Sequence, residues 1–206
     1  MKAKKRFNIW LWVLLCVPCL LASCDHDVHD GEDEGGLSVS LTWADEADQG
    51  TEVKDVKLWI FDADKGSLIE EKHYGSTEEV ASQRFELPEG TYRILTTTNL
   101  TEPFFISEQT RSLTNWNNIQ IGLTNPKDVR NNAYFGVTDV KIDNKEGNYV
   151  VQNPVKSVLA ELSIIIENVP KGTEMSGKAL DAAWCLFPTQ KNSDGDYGLP
   201  SIEPTE

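Results

Sequence analysis

The sequence predicts an all-β protein of the sandwich type. Short runs of alternating apolar and polar residues recur along the chain, and turns rich in Gly, Asn, Asp or Pro separate them. Beyond residue 23, no run shows a helical stripe of convincing length. The chain has 206 residues, which is long enough to bury a hydrophobic core of ordinary size.

Residues 1–23 predict a secretory signal peptide. Four basic residues among the first six precede a largely apolar run from Phe7 to Ala22, which ends in small residues. A transmembrane helix is the alternative. However, Asn8, Pro18 and the acidic residues from Asp25 onward leave only about 16 mostly apolar residues, fewer than the ~18 to 20 needed to span a bilayer.

The four residues Leu21-Ala22-Ser23-Cys24 resemble the lipobox of bacterial lipoproteins. In such proteins the leader is cut just before the cysteine, here between Ser23 and Cys24, and acyl chains such as palmitate are attached to the cysteine. Each buried methylene contributes ~0.8 kcal/mol, so two or more chains would hold the protein stably in a membrane. The alternative is cleavage nearby that leaves Cys24 as a plain thiol.

Residues 24–36 predict an acidic, flexible tether, because so many charges cannot pack in a core. The carboxylates are Asp25, Asp27, Asp30, Glu32, Asp33 and Glu34. The stretch resembles the acidic segment that follows the lipidated cysteine in surface-exported lipoproteins of the Bacteroidetes, and a mere spacer is the alternative. His26 and His29 lack a third ligand type nearby, so no metal site is predicted.

Charge and cysteine content exclude two classes of protein. The whole chain carries −14 and its leader four positive charges, so the remainder carries −18, which repels phosphate backbones and excludes nucleic-acid binding. Cys16 and Cys19 leave with the leader and Cys24 takes lipid, so Cys185 has no partner within the chain. A disulfide scaffold is therefore excluded.

Eight runs have the period-two alternation or the continuous apolar character of strands. They span residues 37–43, 56–61, 67–74, 84–87, 92–98, 134–142, 149–152 and 158–169. In the first run, Leu37, Val39 and Leu41 alternate with polar residues, which predicts one buried face. The run VKLWIF at 56–61 is apolar on both faces and predicts a central strand.

Turn-forming residues separate these runs. DADKG at 62–66 predicts a hairpin. It also resembles a calcium loop, but an EF-hand has glycine sixth and glutamate twelfth, whereas here glycine stands fifth and His73 twelfth. A plain turn is favoured. Residues 76–79, Ser-Thr-Glu-Glu, match a capping box and predict a short helix. The segment 107–133 is mostly polar and predicts a long excursion with one short strand.

Several of these motifs occur in a characteristic order. After the lipobox and the tether come VKDVKLWIFDADKGSLIE, FELPEGTYRILTTTNL, AYFGVTDVKI and KSVLAELSIIIENVP. Together they resemble the fimbrial anchor lipoproteins of Bacteroidales, the FimB and Mfa-type minor fimbrial subunits. The resemblance implies transthyretin-like or immunoglobulin-like β-sandwich domains, lipid attachment to the outer membrane through Cys24, and fimbrial shaft subunits as partners. It also implies a surface-exposed minor subunit that anchors or terminates the shaft by β-strand addition.

The chain is predicted to divide into a signal peptide (1–23), a tether (24–36), an N-terminal β-sandwich (37–152) and the start of a second β-domain (153–206). The last part is short for a sandwich, which needs roughly 80 to 100 residues. Its end, QKNSDGDYGLPSIEPTE, is polar and turn-rich, with no strand signal. We therefore expect either that the chain is shortened at its C-terminal end or that the second domain is incomplete and leaves an unpaired edge.

No pattern of catalytic residues is found in the sequence. His73 is the one histidine beyond the tether, and no nucleophile elbow, Walker A motif or dinucleotide-binding motif occurs. We expect no enzyme and no cofactor. The alternative function is a surface-exposed lipoprotein that binds glycans or host proteins. Phe104, Phe105 and Trp116 could form a sugar platform for it, although aromatic side chains bury well and burial at the ends of the sandwich is favoured.

Overall fold

The computed structural model describes residues 35–107, 115–124, 132–159, 165–174, 176, 183 and 185–201. The described residues belong to one compact unit. Its strands are β1 (Gly36–Trp43), β2 (Val56–Asp62), β3 (Leu68–Tyr74), β4 (Gly90–Thr98), β5 (Phe104–Ile106), β6 (Ile121–Leu123), β7 (Tyr134–Ile142), β8 (Asn148–Ser157), β9 (Cys185–Lys191) and β10 (Tyr197–Ser201). Among the described residues, one short α-helix, α1, spans Thr77–Ala81, and two 3-10 turns span Glu46–Asp48 and Trp116–Asn118. The predicted all-β class is confirmed.

The strands form two sheets. The first has the order β1-β8-β7-β4-β2-β3, and the second has the order β10-β9-β6-β5. β1 and β8 run parallel, from Gly36 opposite Asn148 to Trp43 opposite Val155. The other strand pairs of the described residues are antiparallel. β2 and β3 form the predicted hairpin, and its turn is closed by backbone N–H groups that donate to the carboxylate of Asp62.

Strand β2 is buried on both faces, as its sequence predicts. Leu58 and Ile60 lie in a first core with Leu37 and Val39 of β1. Their neighbour Trp59 faces the other way, into a second core that is completed by the second sheet. Because side chains alternate along a strand, a strand covered on both sides needs apolar residues at consecutive positions. The central part of the first sheet therefore lies between the two cores, and we call it the middle layer of the unit.

Strands β7 and β8 diverge along their length. Their paired residues are Tyr134 with Ser157 and Phe135 with Lys156, while β8 pairs with β1 from Asn148 to Val155. Asn153, which is fully buried, bridges the divergence. Its Nδ2 donates to Thr96 Oγ1 of β4 at 3.0 Å and its Oδ1 accepts from Thr138 Oγ1 of β7 at 2.9 Å. These bonds replace the ladder that the two strands lack there.

The C-terminal part corrects one sequence expectation. Residues 197–201, in the segment without a strand signal, form strand β10, which pairs with β9 as a hairpin. Asn192 closes the hairpin turn by accepting from the backbone N–H groups of Asp194 and Asp196. The sequence does not predict this strand because it contains Gly198 and Pro200, and both residue types are depleted in strands. β9 joins β6 through the pairs Ile121–Leu186 and Gly122–Cys185.

Other predicted boundaries also shift. The predicted division between residues 152 and 153 falls inside β8, and β9 and β10 lie in the same sheet as β5 and β6. The run 84–87 supplies one bridge, Leu37 to Phe85, and no longer strand. Of the strand expected at 158–169, the described residues are not in strand conformation. Ile165 and Ile166 are 82% and 57% exposed. The second domain stays a prediction.

Candidate assembly site

An apolar groove opens between the middle layer and the second sheet. It has a volume of about 530 Å³. We call it the interlayer groove; its lining residues are Ile121, Gly122, Leu123, Phe135, Lys156, Ser157, Val158, Leu159, Ala183, Cys185, Leu186, Gly198 and Pro200. Most of these side chains are apolar, so the groove suits the side chains of an extended apolar segment better than a charged ligand.

Phe135 and Gly198 both line the interlayer groove and lie against each other. A Cβ atom on Gly198 would lie 2.6 Å from Phe135 Cζ. The φ angle of Gly198 is +104°, in the region that L-residues rarely adopt. Glycine therefore lets β10 approach the Phe135 ring. This approach could not be read from the sequence, because it joins residues that are far apart in the chain.

The edge strands show where another chain could pair. β1 is closed at its start by two backbone hydrogen bonds between Leu37 and Phe85. β3 carries the charged residues Glu70, Glu71 and Lys72, and β10 contains Pro200; charges and proline both discourage edge pairing. β5 has neither, and its Phe105 is 42% exposed. Among the described strands, β5 is therefore the least protected edge.

Five side chains, four on strands and one in a turn, form what we call the Arg93 cluster. They are Arg93, Trp116, Asp139, Lys191 and Tyr197. Arg93 Nε and Nη2 donate to the two oxygens of Asp139 at 2.7 and 3.1 Å. The guanidinium also lies over the rings of Trp116 and Tyr197. Lys191 Nζ lies 4.8 Å from the centre of the Tyr197 ring. The cluster therefore links the C-terminal hairpin to β4 and β7.

The Arg93 cluster shifts the pKa values of two of its members in opposite directions. Burial, together with the hydrogen bond that its hydroxyl donates to Asp139 at 2.7 Å, raises the pKa of Tyr197 well above its ordinary value of 10.0. Partial burial alone would raise the pKa of Asp139. The hydrogen bonds from Arg93 and Tyr197 and the nearby positive charges outweigh this effect and lower it. The cluster therefore favours a carboxylate beside a protonated phenol.

The residues predicted to attach and export the protein lie outside the described residues. These are Ser23 and Cys24 at the cleavage site and Asp25, Asp27, Asp30, Glu32, Asp33 and Glu34 of the tether. Within the described part of the chain, no helix is long and apolar enough to span a membrane. The same part contains no group of three potential metal ligands. Cys185 is a free thiol there and lines the interlayer groove.

The three aromatic residues considered as a sugar platform are separated by the fold. Phe104 is almost fully buried in the second core. Trp116 packs partly against the same core and is covered by the Arg93 guanidinium. Phe105 alone of the three is well exposed, and it faces Gly122. Burial, the favoured interpretation, is confirmed for Phe104, and the three residues do not form one platform.

The family of the chain follows from its sequence as a whole. The profile of the fimbrillin-A associated anchor proteins Mfa1 and Mfa2 matches residues 24–201. The chain belongs to this family. The expected relationship to fimbrial anchor proteins is thereby confirmed, and the family places the chain among fimbrium-associated proteins of the cell surface. No curated protein matches the chain.

Several solved structures are similar to the chain. A candidate polysaccharide-binding protein from Bacteroides thetaiotaomicron is 16% identical, with a TM-score of 0.50 over 60% of this chain and 48% of that one. The fimbrial anchor protein Mfa2 from Porphyromonas gingivalis is 15% identical, with a TM-score of 0.46 over 59% of this chain and 50% of that one. At 16% identity, the first match concerns the fold alone. The chain spans about half the length of these solved relatives.

Proposed function

We propose that the protein is an outer-membrane lipoprotein that anchors or terminates a fimbrial shaft. The match to the family supports this proposal. The matched region begins at residue 24, directly after the predicted cleavage site. Lipid on Cys24 would hold the chain in the membrane, and the six carboxylates that follow would keep the tether extended in solvent. The sandwich would then contact a shaft subunit. The role is structural and involves no catalysis and no cofactor.

The interlayer groove is the proposed contact with the shaft. Fimbrial subunits that join by β-strand addition offer an extended segment whose alternate side chains are apolar. Such a segment matches the groove, whose described walls are Ile121, Leu123, Leu186 and their neighbours. The least protected edge, β5, belongs to the same sheet as the groove-lining strands β6, β9 and β10. Burial of apolar side chains in the groove would favour binding, and the binding free energy is what remains after the entropy cost of association.

The lipid anchor is tested by Cys24→Ala in the native cell. Detergent partition of the protein and the length and attachment of surface fimbriae are measured. If the proposal holds, the variant becomes soluble and fimbriae are shed or overlong. Soluble protein with unaffected fimbriae would refute the fimbrial role and keep the lipoprotein assignment. Protein that still partitions with membrane would refute Cys24 as the anchor.

The groove is tested separately with Pro200→Glu, which places a charge at its exposed rim. Shaft attachment should fall while the amount of membrane-bound protein stays unchanged. Val150→Glu is the matched control, because Val150 is 69% exposed on β8 and is not among the groove's lining residues. Phe105→Glu places a charge on β5 and tests whether the shaft contacts that edge rather than the groove. Loss of attachment in Phe105→Glu alone would move the contact to β5.

A further inference from the structure

A polar cleft lies at the end of the sandwich where β1 and β4 end and β2 begins. Two adjoining pockets form it, with volumes of about 370 and 490 Å³. Both are lined by Thr51 and Glu52, so we call the whole the Thr51 cleft. It shares no lining residue with the interlayer groove. Each pocket has the size of an ordinary small-molecule site, roughly 300 to 1,000 Å³.

The first pocket combines apolar surface with many hydroxyl and carboxylate groups. Leu41, Trp43, Val53 and Val155 supply the apolar part. The polar part consists of Thr42, Thr51, Glu52, Thr77, Glu78 and Thr98. Hydroxyls can donate and accept, and carboxylates accept from two directions. This mixture fits a ligand that has hydroxyl groups on its rim and C–H groups on its faces.

Thr98 gives a second, independent indication of a ligand. The residue is fully buried, and its Oγ1 has no hydrogen-bond partner among the described residues. A buried hydroxyl without a partner costs about 1–3 kcal/mol, so such groups are rare in folded proteins. Because Thr98 lines the first pocket, a ligand hydroxyl is a suitable partner for it.

The walls of the Thr51 cleft are held in place before any ligand arrives. Asn99 adopts a left-handed conformation, with φ of 54°. Its Nδ2 donates to the carbonyl of Glu52 at 2.8 Å, and its Oδ1 accepts from the N–H of Lys54 at 3.0 Å. The rings of Trp43 and Tyr134 meet edge to face, with centroids 4.8 Å apart. A preformed site loses less entropy when it binds a ligand.

The charge of the Thr51 cleft limits the class of ligand that it can bind. Three carboxylates line the two pockets, on Glu52, Asp55 and Glu78. Lys54 is the one basic residue among the lining residues, and its Nζ lies 3.0 Å from the Glu52 carboxylate. The net negative charge disfavours phosphates and acidic sugars. Neutral hydroxyl groups, in contrast, can donate hydrogen bonds to the carboxylates of Glu52 and Glu78. The third carboxylate, on Asp55, is already bonded through Oδ1 to His73 Nε2.

We propose that the Thr51 cleft binds a short segment of a neutral oligosaccharide, with sugar rings in both pockets. Its hydroxyl groups donate to Glu52 and Glu78 and bond to Thr98, and one ring packs against Trp43. The second pocket adds the side chains of Asn99, Thr101, Asn132 and Tyr134. This proposal does not rest on the anchor function, because the cleft and the groove are separate.

The test measures binding of trisaccharides to the purified, detergent-solubilised full chain by saturation-transfer NMR and calorimetry. The probes are the neutral compounds cellotriose, maltotriose, mannotriose and N,N′,N″-triacetylchitotriose and the acidic trigalacturonic acid. At least one neutral probe should bind at micromolar to millimolar concentration, and trigalacturonic acid should not. Failure of all four neutral probes, or tighter binding of the acidic probe, would overturn the proposal.

Two substitutions assign the binding to the cleft. Glu52→Gln with Glu78→Gln keeps the shape of the site and removes two charged acceptors, so affinity for the bound probe should fall at least tenfold, or 1.4 kcal/mol. Glu71→Gln, an exposed position on β3, is the control and should change nothing. Equal affinity in the double variant and the control would overturn the assignment. Urea unfolding of each variant confirms that its fold is intact.

Discussion

The guanidinium carbon of Arg93 lies 3.3 Å from the centre of the Trp116 ring. The same guanidinium pairs with Asp139, which stands directly opposite Arg93 on the neighbouring strand β7. The carbonyl of Trp116 in turn accepts a hydrogen bond from Thr189 of β9. Arg93 and Trp116 therefore connect the middle layer to the C-terminal hairpin through polar contacts, in addition to the apolar contacts of the second core.

Replacing Arg93 with methionine should destabilise the protein by about 1–3 kcal/mol. The change removes a bidentate charged hydrogen bond and the contact with the Trp116 ring, each of which contributes on the order of 1 kcal/mol at a partly exposed site. Urea unfolding measures the effect. Arg84→Met is the control, because Arg84 bonds to the Asn148 side chain on the exposed surface. Equal losses in the two variants would contradict the role given to the cluster.

The opposed pKa shifts of Tyr197 and Asp139 predict stability losses at both ends of the pH range. The pKa of Tyr197 is raised in the folded state, so its contribution is complete below about pH 10 and is lost as the pH rises through the folded value. The pKa of Asp139 is lowered. Its contribution is present above the ordinary value of 3.8 and is lost as the pH falls through the folded value.

Urea midpoints of the wild type, Tyr197→Phe and Asp139→Asn between about pH 3 and 11 check this expectation. Tyr197→Phe should reduce the loss of stability at alkaline pH, and part of that loss should remain because the pKa values of Tyr74 and Tyr92 are also raised. The variant should also reduce the loss at acid pH, because the hydrogen bond from Tyr197 helps to lower the pKa of Asp139. Asp139→Asn should remove part of the loss of stability at acid pH. Part should remain, because the pKa values of Asp62 and Glu78 are also lowered. An alkaline loss of the same size in Tyr197→Phe would show that another group causes it.

The sequence could predict features that depend on local pattern. The alternation in β1, the continuous apolar run of β2, the hairpin turn after Asp62 and the capped helix α1 all follow from neighbouring residues, and each is found. The side chain of Ser76 accepts from the N–H of Glu79, as a capping box requires. Local pattern therefore gave the class of the fold and most of its first sheet.

Features that depend on distant pairing could not be predicted in the same way. Strand β10 contains Gly198 and Pro200, which argue against a strand locally, and it is formed because β9 pairs with it. The interlayer groove and the Thr51 cleft each combine side chains from several separate segments. No window of sequence reports which of these residues meet. The family resemblance could be seen because its motifs are consecutive residues in a fixed order.

Replacing Gly198 with alanine should destabilise the C-terminal hairpin by about 1–3 kcal/mol, because the new Cβ would clash with the Phe135 ring. Gly195→Ala is a matched control. Gly195 also has a positive φ, of 88°, but nothing lies within 4 Å of the position of its Cβ. Both variants bear the backbone cost, so urea unfolding should show a larger loss for Gly198→Ala. Equal losses would mean that β10 does not approach Phe135 closely.

Asn153 holds together the place where β7 and β8 diverge. Besides its bonds to Thr96 and Thr138, its Nδ2 donates to the carbonyl of Gly136 at 3.3 Å. Thr96 and Asn153 are both fully buried. Any replacement that cannot form these bonds leaves several buried polar groups without partners, and each such group costs about 1–3 kcal/mol.

Asn153→Leu, which keeps the approximate size of the side chain, should therefore lower the free energy of unfolding by about 2–4 kcal/mol. Gln152→Leu is the control, because Gln152 is the preceding residue on β8 and its side chain is exposed; its loss should stay below about 0.5 kcal/mol. Urea unfolding gives both values. Hydrogen exchange should also show faster exchange at the divergence of β7 and β8 in Asn153→Leu. A leucine variant as stable as the wild type would mean that apolar packing alone can close this gap between the strands.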